Sequence, residues 1–219
     1  MLKRFAAVLF ALAAPVACAQ GLVERFQEGQ HYYRVQPAVA TTSPAGKVEV
    51  VEVFSYGCIH CATFQPMVDK WHKAPGAAKA DFKYLPATFN PMFALMARGF
   101  YAAEALGVRE KTHTPLFNAL FVENKQFRTI EELGDWYATQ GVDKAQFLEA
   151  AKSFATETKL KRATQTMQAY GVDGTPNVVV AGKYRISGAS AGGYDKVFDV
   201  VDFLVAKESA AAQTVKTAK

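Results

Sequence analysis

Apolar and polar positions follow strand-like and helix-like spacing in turn, beginning with a strong strand signal. Residues 47–54 read Lys-Val-Glu-Val-Val-Glu-Val-Phe, a β-branched run typical of a central strand whose two faces are both covered. Ser55-Tyr56-Gly57 ends the run, and the apolar positions that follow predict a helix that begins at Cys58 and ends at about His72. Residues 81–86 predict a second strand, parallel to the first, which completes a β-α-β unit.

The middle of the chain, residues 90–170, carries the start and stop signals of several helices. Asn90 stands as an N-cap directly before a proline, and Thr114 before Pro115 repeats that opening. Thr129 begins a capping-box pattern, and a last helix is expected from about Thr156 to Tyr170. Because these helices lie between two sheet-forming segments, we interpret residues 90–170 as an inserted helical domain.

The chain returns to strand-like spacing after Gly174-Thr175-Pro176. Residues 177–180 and 183–186 predict a β-hairpin, and apolar positions at helical spacing over 197–205 predict a closing helix. The expected organisation is therefore an α/β fold with a lead at 20–46, one discontinuous domain at 47–89 and 171–207, the helical insertion at 90–170 and a disordered Ala- and Thr-rich tail at 208–219.

The composition indicates a folded chain, and the first 19 residues indicate the compartment in which it acts. With 50% hydrophobic and 21% charged residues among 219, the chain can bury a sizeable core, so global disorder is excluded. Residues 1–19 show the basic, apolar, small-residue layout of a secretory signal, and we expect cleavage after Ala19 in preference to lipid attachment at Cys18. Without this segment 23 basic residues face 20 acidic ones, a charge of +3 that is too small to indicate nucleic-acid binding. No other stretch is apolar for long enough to span a bilayer.

Cysteine usage points to the chemistry, because the chain after residue 19 holds only Cys58 and Cys61, in a C-x-x-C. Covalent haem attachment needs a histidine after the second cysteine, where Ala62 stands, and a structural zinc site would need ligands from the scattered histidines. An inert disulfide remains an alternative, although so short a loop adds little stability. Redox chemistry has a physical basis: a Cys58 thiolate at a helix N-terminus lies at the positive end of the helix dipole, and a protonated His60 would add favourable charge.

The residues from Val53 to Cys61, the helical insertion and Gly174-Thr175-Pro176 before a hairpin together resemble the DsbA family of disulfide oxidases. The resemblance spans about residues 46–207 and implies a thioredoxin-like fold with an inserted helical domain. It also implies that Thr175-Pro176 is a cis-proline loop against the sulfurs, with Thr175 lining the groove for substrate peptides. Two departures are Ile59, where well-known members have proline, and Gln65, where some have a second acid.

The resemblance also implies a role for two charged residues. Glu52 interrupts an apolar strand, where a carboxylate is costly unless it is paired or protonated, and Lys83 on the neighbouring strand could reach it. In the family an acid and a lysine at these positions assist proton transfer at the second cysteine. The alternative is a weak surface pair between the two side chains. An apolar surface around the sulfurs could come from seven residues, most of them expected in the core: Phe54, Tyr56, Phe64, Met67, Phe89, Met92 and Phe93.

We therefore expect a periplasmic thiol:disulfide oxidoreductase that donates its Cys58–Cys61 disulfide, through a mixed disulfide at Cys58, to unfolded secreted proteins. No cofactor beyond this disulfide and no metal is expected. By resemblance the protein is reoxidised by a quinone-linked membrane protein of the DsbB type, and the absence of heptads suggests a monomer. Alternatives are a reductase or isomerase of the same fold, the isomerase disfavoured by the short lead before residue 47, or a peptide-binding chaperone with a passive disulfide.

Overall fold

The structure, a computed structural model, describes the backbone of residues 25–217 and the side chains of residues 25–213. A five-stranded sheet in the order β1-β5-β4-β2-β3 lies at its centre. β2 runs parallel to β3 and antiparallel to β4, while β5 pairs antiparallel with both β4 and β1. The strands are β1 (Tyr33–Arg34), β2 (Val48–Phe54), β3 (Ala80–Pro86), β4 (Asn177–Val180) and β5 (Tyr184–Ser187).

All seven residues of β2 are buried, as expected for a strand covered on both faces. The helices that cover the sheet and fill the insertion are α1 (Ile59–His72), α2 (Pro91–Ala105), α3 (Arg109–Phe121), α4 (Ile130–Thr139), α5 (Lys144–Lys152), α6 (Phe154–Tyr170), α7 (Gly188–Ala191) and α8 (Val197–Thr217). The β-α-β unit, the inserted helices and the hairpin therefore follow the order that the hydrophobic pattern predicts, and the α/β fold is confirmed.

Side-chain caps explain why several helices begin where the sequence places them. Asn90 accepts the Phe93 N–H at 2.9 Å, and Thr129 accepts the Glu132 N–H at 3.1 Å. The expected opening at Thr114 is wrong, because α3 begins five residues earlier and contains Pro115. The lead before residue 47 also contains the short edge strand β1, whose two residues form a strand because they pair with β5.

The buried side chains of the described residues form three clusters, and one of them joins the helical insertion to the turn after β2. That cluster contains Phe54, Tyr56, Cys58 and Cys61 together with residues of α2 to α6. A second cluster packs α1 and α8 on the sheet, and a third lies on the opposite face of β2 around Val51 and Val53. The inserted helices thus support the C-x-x-C segment directly.

The C-terminal segment differs from expectation. α8 continues through Thr217, so residues 208–217 are helical where composition predicts disorder. At the start of this segment Glu208 accepts hydrogen bonds from Lys183 at 2.5 Å and from the Tyr184 hydroxyl at 3.1 Å, and the alanines that follow are strong helix formers. The expected signal segment, residues 1–19, lies outside the described residues. Within residues 25–217 no helix is long and apolar enough to cross a membrane.

Candidate active site

Cys58 occupies the N-cap of α1, at the end of the turn that follows β2. Its backbone N–H donates to the Ser55 carbonyl at 3.1 Å, and the Gly57 N–H donates to the Ser55 hydroxyl at 3.1 Å. The sulfur accepts the backbone N–H of Cys61 at 3.3 Å, so it takes the place of a capping oxygen. The predicted position of Cys58 at a helix N-terminus is therefore confirmed, and both cysteines are free thiols.

The surroundings of Cys58 favour its thiolate. The hydrogen bond from the Cys61 side chain, followed by hydrogen bonds from the Thr175 side chain and from the backbone N–H groups of Cys61 and His60, outweighs burial and lowers the pKa of Cys58 to about 5. The Cys58 side chain is 8% exposed and that of Cys61 only 1%. Cys58 is thus the more accessible of the two sulfurs and the one whose thiolate the site stabilises.

Cys61 lies one helical turn further in, and its environment has the opposite effect. Burial, the hydrogen bond to Cys58 and the nearby Glu52 carboxylate raise the pKa of the Cys61 thiol well above its usual range. A thiolate that forms at Cys61 therefore takes up a proton readily. The two sulfurs share a helix turn but differ in chemical role.

The loop before β4 brings Thr175 and Pro176 to the sulfurs. The Thr175–Pro176 peptide bond is cis, and the Cys58 thiol donates to the Thr175 carbonyl oxygen at 3.4 Å. Thr175 is half-buried and Pro176 buried, so the loop backbone faces the reactive cysteine. This juxtaposition results from the antiparallel pairing of β4 with β2, which places Asn177 opposite Val53.

His60 lies in the active-site turn, but its ring is not directed at a buried partner. The side chain is exposed, and its imidazole ring lies 6.0 Å from the ring of Tyr194. Its contribution to the Cys58 thiolate is the backbone N–H. The role expected for a charged imidazole stays a prediction.

Glu52 is buried, with 1% of the residue exposed, and its Oε2 has no hydrogen-bond partner among the residues that the structure describes. Burial, then the charges of Cys58 and Asp69, raise the pKa of Glu52 to about 8. The carboxyl is therefore predominantly protonated at neutral pH. This places a proton near Cys61, whose pKa responds to the Glu52 charge.

The expected pairing of Lys83 with Glu52 is wrong. In the parallel register Lys83 stands beside Val51, whereas Tyr84 stands beside Glu52. Because neighbouring residues of a strand point to opposite faces, the lysine and the acid lie on different sides of the sheet. The ammonium of Lys83 instead contacts Glu49 at 2.6 Å and Asp81 at 3.2 Å. Lys83 is therefore a partner of Glu49 and Asp81 and not of Glu52.

A chain of buried hydrogen bonds below the active-site turn escaped sequence reasoning. It connects Tyr56, next to the C-x-x-C, through His113 of α3 to Gln65 of α1. In the sequence His113 stood out only as a scattered zinc-ligand candidate, and nothing local signals its contacts. Among the described residues no three His, Cys, Asp or Glu side chains cluster as metal ligands would.

Apolar side chains surround the mouth of the site. Ile59 is 50% exposed and Met92 is 47% exposed, and the ring of Phe93 lies against Gly57, where a Cβ would approach it to 3.0 Å. Of the seven candidate surface residues, Phe54, Tyr56 and Phe64 are in the core, Met67 and Phe93 are half-buried, and Phe89 and Met92 are exposed. The exposed members form a surface that can hold apolar segments of another chain.

Comparison with known proteins gives consistent matches over nearly the whole chain. A family model described as the DSBA-like thioredoxin domain matches residues 78–192, which include the Thr175–Pro176 loop. The thiol:disulfide interchange protein DsbA of Pseudomonas aeruginosa is 38% identical over 208 residues, covering 94% of both chains. The protein of the same name from Burkholderia cepacia is 35% identical over 205 residues, covering 94% of this chain and 96% of the relative.

Solved structures agree with these matches. The crystal structure of Pseudomonas aeruginosa DsbA superposes with a TM-score of 0.81 at 38% identity, covering 87% of this chain and 98% of the other. The oxidoreductase DsbA from Xylella fastidiosa gives a TM-score of 0.76 at 30% identity, covering 83% and 97%. The thioredoxin-like fold with its helical insertion is therefore shared with these structures.

Proposed function

The chain belongs to the DsbA family of thioredoxin-fold proteins, and on this basis we propose that it is a thiol:disulfide oxidoreductase that donates a Cys58–Cys61 disulfide to client proteins. The observation that carries the proposal is the opposite effect of the site on its two sulfurs. Hydrogen bonds lower the pKa of Cys58 to about 5, while burial raises that of Cys61. Stabilising the thiolate of the reduced protein makes its disulfide a stronger oxidant.

The first step is attack by a client thiolate on the Sγ of Cys58. The Cys58–Cys61 bond breaks, a client–Cys58 disulfide forms, and the electron pair leaves on Cys61. Because the pKa of Cys61 is raised, this sulfur takes up a proton, and the protonated Glu52 is the nearby donor that we propose. The Thr175 backbone lies beside Cys58, where it can pair with the client backbone as the attack occurs.

The second step transfers the disulfide. A second client thiolate attacks the client sulfur of the mixed disulfide, and Cys58 leaves as a thiolate. Two electrons pass from the client to the protein. Of the two protons that the client thiols release, one is taken up by Glu52, replacing the proton that it gave to Cys61, and the other goes to water. The low pKa of Cys58 makes it a good leaving group.

The setting of this reaction is the periplasm, and the clients are newly exported proteins whose apolar segments contact Ile59 and Met92. The layout of residues 1–19 supports export. A quinone-linked membrane protein of the DsbB type would remove the two electrons in each cycle, and the protein would act as a monomer. Membership in the family supports these roles.

The test is to equilibrate the Cys58–Cys61 couple with defined ratios of reduced and oxidised glutathione and to follow transfer to a dithiol peptide. We expect a reduction potential well above that of the glutathione pool and rapid oxidation of the peptide. Cys58→Ser should abolish transfer while leaving peptide binding intact, which separates the oxidase from a passive chaperone. A potential at or below the roughly −270 mV of thioredoxin would overturn the proposal in favour of a reductase.

A further inference from the structure

We propose that His113, carried by the helical insertion, is a positioning residue for this redox reaction. It holds Tyr56, two residues before Cys58, and through Tyr56 the geometry that stabilises the Cys58 thiolate. The inference rests on the proposed function only in taking Cys58 and Cys61 as the reacting couple. It assigns a chemical task to the helical insertion, which otherwise only packs beside the site.

The contacts form a continuous chain across three elements. The Tyr56 hydroxyl lies 2.7 Å from Nδ1 of His113, and Nε2 of His113 lies 3.0 Å from Oε1 of Gln65. Gln65 Nε2 then donates to the Tyr84 hydroxyl at 3.0 Å and to Asp69 Oδ1 at 2.9 Å. Tyr56 is 1% exposed, and His113 and Gln65 are each 4% exposed. A chain this deeply buried is costly to leave incomplete.

The donor and acceptor groups along this chain determine which atom donates in each hydrogen bond. The Asp69 carboxylate accepts, so the amide nitrogen of Gln65 faces it and the amide oxygen faces His113. An amide oxygen only accepts, so Nε2 of His113 carries the hydrogen. Nδ1 of a neutral ring then accepts, and the Tyr56 hydroxyl donates to it. Burial, reinforced by the charge of Arg109, lowers the pKa of His113 to about 3 and keeps the ring neutral.

This chain explains the glutamine at position 65. A carboxylate there could accept from His113 but could not donate to Asp69 or Tyr84, and it would face the Asp69 carboxylate four residues further along the same helix. An amide is the group that both accepts from the ring and donates onward. Gln65 and His113 therefore act together, and the departure from an acid at this position is part of the arrangement.

Tyr56 matters to Cys58 because both lie in the same short turn between β2 and α1. The turn is closed by the Cys58 N–H on the Ser55 carbonyl and is packed against Phe93 at Gly57. The hydrogen bond to His113 fixes the Tyr56 ring against α3, so the loss of either partner, the imidazole or the hydroxyl, frees the ring to shift. Movement of Tyr56 displaces the turn and with it the Cys58 sulfur relative to the N–H groups of α1. The dithiol form would then lose thiolate stabilisation.

The experiment measures the equilibrium protein disulfide + 2 glutathione ⇌ protein dithiol + glutathione disulfide in four single variants and in the double variant Tyr56→Phe/His113→Gln. Tyr56→Phe removes only the hydroxyl. His113→Gln keeps a polar group near the ε position, towards Gln65, whereas His113→Asn keeps one near the δ position, towards Tyr56. Tyr170→Phe, which alters a buried tyrosine of a different core cluster, is the matched control.

We expect Tyr56→Phe and His113→Gln each to lower the equilibrium constant about tenfold, a fall of about 30 mV in the potential. The double variant should shift no further, because both changes break the same hydrogen bond. His113→Asn and Tyr170→Phe should stay within about twofold of the wild type. The ultraviolet absorbance of the Cys58 thiolate should appear at higher pH in Tyr56→Phe and His113→Gln only.

Unchanged equilibrium constants in Tyr56→Phe and His113→Gln, with lower thermal stability alone, would reduce His113 to a packing residue and overturn the inference. Additive shifts in the double variant would also contradict it. If the variants at position 113 fail to fold, Tyr56→Phe decides, since it deletes one oxygen atom. Failure of the wild type to oxidise a peptide would refute the proposed function instead, and the comparison of equilibrium constants would still stand.

Discussion

Replacing Glu52 with glutamine should make the stability of the protein less dependent on pH. The carboxyl is buried, and its pKa is raised to about 8, chiefly by burial. In the unfolded chain the pKa of a glutamate returns to near 4.5. Between these values the folded protein holds a proton that the unfolded chain releases, so the contribution of Glu52 to the free energy of unfolding falls as pH rises through this window and is constant above it.

The size of the effect follows from the pKa difference. Each unit corresponds to about 1.4 kcal/mol, so the roughly 2.5 units between pH 4.5 and pH 7 cost the wild type about 3 kcal/mol. Above pH 8 the cost levels off at about 5 kcal/mol. Glutamine cannot titrate, and any penalty for its buried amide is the same at every pH. The free energy of unfolding of Glu52→Gln minus that of the wild type should therefore increase with pH, whatever its value at pH 4.5.

The assay is urea unfolding of the wild type and Glu52→Gln at several pH values from 4.5 to 8.5. Both proteins are used as the disulfide form, so that the cysteine thiols do not titrate. In the disulfide form Cys58 carries no charge, so the pKa of Glu52 is raised less than in the dithiol form. The effect of about 3 kcal/mol at pH 7 is therefore an upper value, although burial, the main cause of the shift, is unchanged. A difference in unfolding free energy that is constant across this range would refute the assignment of a protonated, buried Glu52.

The other predictions concern the two sulfurs and the surface. At pH 6 to 7, iodoacetamide should alkylate Cys58 and spare Cys61, which peptide mass spectrometry checks; equal labelling would contradict the opposite pKa shifts. Lys83→Met should leave Glu49 without its cation and lower the unfolding free energy by about 2 kcal/mol, with an unchanged glutathione equilibrium. A shift of the glutathione equilibrium in this variant would show that Lys83 influences the cysteines and would contradict the prediction. Met92→Asp should slow client oxidation and change stability by less than about 0.5 kcal/mol in chemical denaturation; an unaffected rate would exclude Met92 from the client surface.

Features that depend on nearby residues were predictable from the sequence. Asn90, Thr129 and Asp143 each accept the N–H three residues later, so the starts of their helices follow from single side chains. The position of Cys58 at the start of α1 likewise follows from a buried strand, a break at residues 55–57 and a helical pattern. Local signals of this kind need no knowledge of the rest of the fold.

Features set by distant contacts were not predictable. Lys83 and Glu52 were expected to pair. In the observed parallel register Lys83 lies beside Val51, and a shift of one residue places a side chain on the opposite face of the sheet. Composition predicts disorder for residues 208–219, yet α8 continues past position 208, where Lys183 and Tyr184 donate hydrogen bonds to Glu208. His113 lies 48 positions from Gln65 and 57 from Tyr56, and no spacing rule connects residues so far apart.

Glu52 also couples proton binding to the redox state of the cysteines. The negative charge of Cys58 is one of the causes that raise the pKa of Glu52, and that charge exists only in the reduced protein. Reduction therefore strengthens proton binding at Glu52, and by linkage a proton bound there favours the reduced state. Reoxidation removes the charge at Cys58 and weakens the hold on the proton. The buried carboxyl of Glu52 lowers the stability of the fold, but its proton affinity changes with the charge that the redox reaction creates at Cys58. Proton binding at Glu52 is therefore coupled to electron transfer at the cysteines.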